Sequence, residues 1–165
     1  MNNNFSVSLE SPQSGWMSLR LRAGAESFVA VMSHAPYDSL RELIEGLTAL
    51  VAGGRGFTVK WNAEPEEYDF EFEPAGAEVE LRVARYAGRR RAGDLPSVVF
   101  AHRGPRAEVC QSFWREFKRL RDRRETDVYE QNWRRAFPER ELRDFTQALK
   151  HSRQRAAGSG QQEEV

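Results

Sequence analysis

The sequence predicts an α+β domain: a meandering antiparallel sheet of about six strands, one helix inserted after the first strands, and two or three C-terminal helices packed on one face. Three observations carry this. Short segments that alternate apolar and polar residues, separated by turn residues, fill most of the chain up to Arg103. One amphipathic helical pattern interrupts them between Ser39 and Val51. After Gly104-Pro105 the apolar period changes from two to about 3.6 and stays there.

The elements follow in order. Phe5–Leu9 alternates and reads as a first strand. In "WMSLRLR", Met17, Leu19 and Leu21 lie on one face, with Ser18, Arg20 and Arg22 on the other. "AGAE" turns the chain and "SFVAVMS" returns it as a hairpin. Ser39 and Glu42 read as a capping box, S-x-x-E, at the start of the helix. Leu40, Leu43, Ile44, Leu47, Leu50 and Val51 make its single apolar stripe, and Gly53-Gly54 stops it. "GFTVKW", "EYDFEFE" and "AEVELRVARY" are three further alternating strands. "GRRRAGDLP" reads as a flexible basic loop, and "SVVFAHR" as the last strand. Val109, Phe113, Phe117 and Leu120 then form a helical stripe with Cys110 and Trp114 beside it. "VYEQNWRRAF" is a further helical piece, and Pro138 suits the first turn of a last helix that runs to about Lys150. Residues 1–150 are expected to form one domain, and the polar residues 151–165 a mobile tail.

Composition excludes several classes. The chain has 165 residues and 39% apolar residues, enough for a core without staples. A lone cysteine, Cys110, cannot make an internal disulfide. "MNNNFSVSLE" has no basic segment before an apolar run, and no stretch approaches the ~20 apolar residues of a membrane helix. A cytoplasmic protein is the expectation. Formal net charge is zero, which argues against a general nucleic-acid binder. That zero conceals an asymmetry: residues 1–80 hold 13 acids and 5 bases, residues 81–165 hold 12 acids and 20 bases.

The acids concentrate in "NAEPEEYDFEFEPAGAEVE", Asn62 to Glu80, which has eight carboxylates and no Lys or Arg. With Ala75-Gly76 as the turn, Phe72 faces Val79, Phe70 faces Leu81 and Tyr68 faces Val83 on the core side. The other side then opposes Glu73 with Glu78, Glu71 with Glu80 and Asp69 with Arg82. Two like-charged cross-strand pairs each cost a few tenths to ~1 kcal/mol, so this face calls for cations. Arg20 and Arg22 on a neighbouring strand, screening by solvent, and a basic protein partner are the three possible sources. In the third case Glu64, Glu66, Glu67, Asp69, Glu71, Glu73, Glu78 and Glu80 form the partner-binding face, with Trp61, Tyr68 or Trp16 as aromatic anchors at its rim. Carboxylates pointing in parallel from strands do not cage an ion, so no metal is expected, and no motif calls for a cofactor.

Two other readings stay open. An enzyme would use His34 or His102, both at strand ends, with nearby carboxylates. Cys110, in the first turn of a helix, would be its nucleophile only if activated. No zinc spacing is present, and "AGGRG" follows a helix, the wrong order for a phosphate cradle. A nucleic-acid accessory protein would use Arg89–Arg91 with Arg119, Arg123 and Arg124, if these share a face.

"WNAEPEEY" (Trp61–Tyr68), with "YDSLRELIEGL" upstream and "W…FP" (Trp133 to Phe137-Pro138) downstream, resembles a W-x-x-E-P-x-x-Y hairpin motif in small uncharacterised bacterial α+β proteins. The resemblance spans about residues 15–150 and implies no activity. In type rather than motif, a small α+β domain with one acidic face also resembles immunity proteins of bacterial toxin systems. That likeness implies a non-enzymatic inhibitor steered electrostatically to a basic toxin.

Overall fold

The computed structural model describes residues 4–159. Its strands are β1 (Phe5–Leu9), β2 (Trp16–Ala23), β3 (Glu26–Ser33), β4 (Phe57–Asn62), β5 (Glu67–Ala75), β6 (Glu78–Tyr86) and β7 (Ser97–Pro105). Its helices are α1 (Ser39–Val51), α2 (Arg106–Asp122), α3 (Tyr129–Trp133) and α4 (Glu139–Ser159). The α+β class holds, and every strand pairing is antiparallel. The strands form two sheets rather than one meander: β1-β2-β3, and β4-β5-β6-β7. Helix α1 sits between them in sequence. The chain therefore leaves β3, the edge of the first sheet, and starts the second sheet instead of extending the first.

Each sheet buries the face its alternation marks out. From the first come Val7, Leu9, Met17, Leu19, Leu21, Phe28 and Met32. From the second come Val59, Trp61, Phe70, Phe72, Val79, Leu81, Val83 and Phe100. One cluster of buried side chains joins them to the helical stripes. Phe28 of β3 meets Tyr68 and Phe70 of β5 edge-on, at centroid distances of 5.0 and 6.0 Å. On the helical side, Phe113 of α2 meets Phe72 at 5.8 Å.

Helix α1 buries all six residues of its stripe. Its N-terminus differs from the capping-box reading. Asp38 is the N-cap, no side chain caps the helix, and Ser39 is already helical. The Ser39 hydroxyl donates instead to the carbonyl of Lys60, tying α1 to β4. At the other end Gly53 takes φ +91°, and its N–H and that of Gly54 bond back to Leu50 and Ala49 at 3.1 and 2.7 Å. Gly46 is required by packing: a Cβ there would lie 2.2 Å from the Phe57 ring.

Helix α2 covers β1, and its side chains satisfy that edge strand. The Leu9 N–H donates to Glu116 Oε2 at 2.9 Å, and Arg119 donates to the Leu9 carbonyl. The helical piece after Asp127 is shorter than its sequence suggests. Only Tyr129–Trp133 is helical, because Arg134 adopts φ +64° and ends it. Helix α4 runs nine residues beyond Lys150, to Ser159, with those residues mostly exposed. The rest of the expected tail, residues 160–165, lies outside the described residues. No helix among the described residues is long and apolar enough to cross a membrane.

Candidate functional site

The acidic segment forms the turn between β4 and β5, strand β5, and the start of β6. Its register differs from the sequence reading. The two-residue turn is Gly76-Ala77, flanked by the pair Ala75↔Glu78. Gly76 sits at the first turn position with φ +61°, a conformation glycine adopts without a Cβ penalty. The core faces are unchanged, but the outer pairs become Glu73↔Glu80, Glu71↔Arg82 and Asp69↔Ala84. Neither of the two expected like-charged pairs forms; a single different one, Glu73↔Glu80, takes their place. The turn moved by one residue because glycine is needed at its first position, and that shifts every partner by two.

The outer face of this sheet is closed at one end and open at the other. At the closed end, Glu67 and Asp69 are 1% and 6% exposed. Arg91, from the loop after β6, reaches over them. It holds Asp69 through two bonds of 2.8 Å and Glu67 through one of 3.3 Å. The Tyr37 hydroxyl donates to the other Glu67 oxygen at 2.6 Å. The Arg91 guanidinium also stacks over Tyr86, 3.8 Å from the ring centroid. Hydrogen bonding to Asp69 raises the Arg91 pKa further above its ordinary value, and bonding to Glu67 raises that of Tyr37. Glu66 is engaged by Arg85 at 3.4 Å. In the β4–β5 turn the Glu64 N–H donates to Asn62 Oδ1 at 3.1 Å, and its carboxylate is exposed.

The open end carries Glu71, Glu73, Glu78 and Glu80. Arg82 sits between Glu80, at 3.5 Å, and Glu71, at 4.0 Å; Arg103 holds Glu78 at 3.4 Å. All three contacts are between half-exposed side chains, where an ion pair contributes little. Glu73 has no ion pair among the described residues and leans toward Gly56 at the start of β4. Four carboxylates thus surround two arginines on an exposed strand face.

Three expectations about this segment need correction. Trp61 is not a rim anchor: it points to the core face, is fully buried and packs on Phe70 at 5.9 Å. Glu67 and Asp69 are not on a free surface, because the loop expected to be flexible closes over them. Arg20 and Arg22 do not neutralise the hairpin. They stand on the outer face of the first sheet, opposite Val29 and Ser27 on one side and Ser8 and Ser6 on the other. The sequence reading missed Arg91, Arg85 and Tyr37 as partners. The available signal was charge balance: two carboxylates in a strand flanked by aromatic residues call for cations from the next loop.

The groups for other chemistries are dispersed. Cys110 is fully buried, and desolvation pushes its thiol up to about 12, away from the thiolate a nucleophile needs. His34 packs edge-on to Trp133 at 6.3 Å, with Nδ1 3.2 Å from the Gly15 carbonyl. His102 lies on the core face of β7, where burial lowers its pKa. No carboxylate bonds either ring among the described residues. No group of three or more His, Cys, Asp or Glu suited to a metal ion occurs among them either. Four of the candidate arginines are already engaged by acids. Arg91 is occupied by Asp69, Arg119 by Glu116 at 2.8 Å, Arg123 by Asp127 at 3.2 Å and Arg124 by Glu139 at 3.3 Å.

Comparison with known proteins gives no relative to lean on: no family model, curated protein or solved structure matches this chain.

Proposed function

We propose that this chain is a non-enzymatic protein-binding module that offers the open end of the β5–β6 hairpin to a basic protein, in its most specific form as an immunity-type inhibitor of a toxin. The observation that carries the reading is the opposed pair Glu73↔Glu80 on an exposed face, flanked by Glu71 and Glu78. Opposed like charges cost stability, and local rules are broken most often where a surface has work to do. The closed end shows what the fold does with carboxylates it needs only for structure: it buries them under Arg91 and Tyr37. The open end has no such cover. A cationic partner would be drawn to it at long range and would displace Arg82 and Arg103 at small cost, since their ion pairs are solvent-screened.

The contact set is therefore Glu71, Glu73, Glu78 and Glu80, with Glu64 and Glu66 at its far margin. The test is affinity capture from a lysate of the source cells, using the wild type and Glu73→Lys/Glu80→Lys at low and high salt. A partner retained by the wild type only, and released by salt, is the expected result. Equal recovery by both proteins contradicts the reading.

A further inference from the structure

A groove of about 880 Å³ opens between the end of β7, the start of α2 and the outer part of α4. We propose that it binds a phosphate group, free or as a phosphate ester, between the N-terminus of α2 and arginines from three elements. The site borders the hairpin face at Glu78 and Arg103 but is argued from other residues, so it can hold where the hairpin reading fails.

Several observations converge on it. The 17-residue helix α2 begins inside the groove with Pro105 as its N-cap, and no side chain caps it. The Arg106 N–H is taken by the Ala77 carbonyl at 2.9 Å. The N–H groups of Ala107 and Glu108 find no acceptor among the described residues. A helix start with free donors carries partial positive charge and favours an oxyanion.

Independently, His102 lines the same groove, is only 7% exposed, and has no hydrogen-bond partner among the described residues. One face of its ring is stacked on Phe5, 4.7 Å between centroids with 5° between planes. Its Nε2 lies where a Cβ on Gly104 would come within 2.8 Å. Its ring nitrogens are not sealed off, and the groove is the side from which a ligand oxygen can reach them.

The charged lining then selects the ligand. Arg103 comes from β7, Arg115 from α2 and Arg153 from α4. Arg103 is held by Glu78, but Arg115 and Arg153 have no ion pair among the described residues; Arg153 donates only to Gln111. Glu108 is the remaining acid, exposed on the first turn of α2. Guanidinium groups from separate elements, two backbone N–H groups and one imidazole match the several oxygens of a phosphate better than the two of a planar carboxylate.

The test is an NMR titration of the full chain with inorganic phosphate, phenyl phosphate and acetate at matched ionic strength. The His102 ring and the Ala107 and Glu108 amides are the reporters. The expected result is that these signals move together and saturate with the phosphates and not with acetate. Tighter binding of phenyl phosphate assigns an ester, and equal binding the free ion. Arg115→Glu/Arg153→Glu, both exposed positions, should weaken binding by about tenfold or more. Gly104→Ala, which displaces the ring, should remove the His102 response. No saturable shift, equal affinity in the arginine variant, or acetate matching phosphate would overturn the proposal.

Discussion

Arg91 divides the acidic stripe. A planar guanidinium can meet a carboxylate with two parallel bonds, and here it does so while resting on Tyr86. Removing it would leave the carboxylates of Glu67 and Asp69 buried with only Tyr37 as partner. Arg91→Ala is therefore expected to destabilise the fold by roughly 2–4 kcal/mol in urea unfolding, and Arg90→Ala, at an exposed neighbour, by almost nothing. A second residue-scale effect concerns His102. Its folded pKa lies below the ordinary 6.5, so between those values the unfolded chain binds the extra proton. Stability from this group is complete above pH 6.5 and is lost as pH falls, with a slope of at most about 1.4 kcal/mol per pH unit. Urea midpoints from pH 7.5 to 5 should fall less steeply in His102→Phe than in the wild type.

Among the elements, the β5–β6 hairpin and α1 show what the sequence reveals and what it hides. Alternation assigned each residue of β5 and β6 to the correct face, because a register error of two keeps the faces. It could not fix the partner, which depends on whether Gly76 is the first or second turn residue. With the observed register, Glu73→Lys would place a cation opposite Glu80. It should raise stability by a few tenths to ~1 kcal/mol, although it removes a residue of the proposed contact face. A thermal melt checks the sign, and a lower midpoint would count against a costly like-charged pair at Glu73. In α1 the apolar stripe was legible in full, whereas the cap was misplaced by one residue, since Ser39 is drawn into a bond with β4 instead. Gly46→Ala would ordinarily favour a helix by about 1 kcal/mol. Here the Cβ would strike Phe57, so a net loss of about 1–3 kcal/mol is expected.

For the molecule as a whole, the α+β class and most core residues followed from local periodicity, a property each segment carries by itself. The split into two sheets, the cover that Arg91 and Tyr37 place over β5, and the groove beside His102 depend on contacts between distant segments. Those are invisible to alternation and spacing. Trp61 shows the limit well: its strand position makes it a core residue, but its place beside a run of acids suggested a rim anchor. Charge behaves in the same way. The excess of acids in residues 1–80 is partly neutralised by the excess of bases in residues 81–165, through Arg82, Arg85, Arg91 and Arg103. At the open end of the hairpin four carboxylates share only two arginines, Arg82 and Arg103.

In the proposed function this local excess, not overall charge, recruits a basic partner. The direct measurement compares affinity capture at low salt by the wild type, by Glu73→Lys/Glu80→Lys, and by Glu125→Lys/Glu130→Lys, which changes net charge equally at exposed positions elsewhere. The hairpin variant should lose the salt-sensitive partner while the control variant keeps it. Equal loss in both variants, equal retention in both, or no partner for the wild type would contradict it.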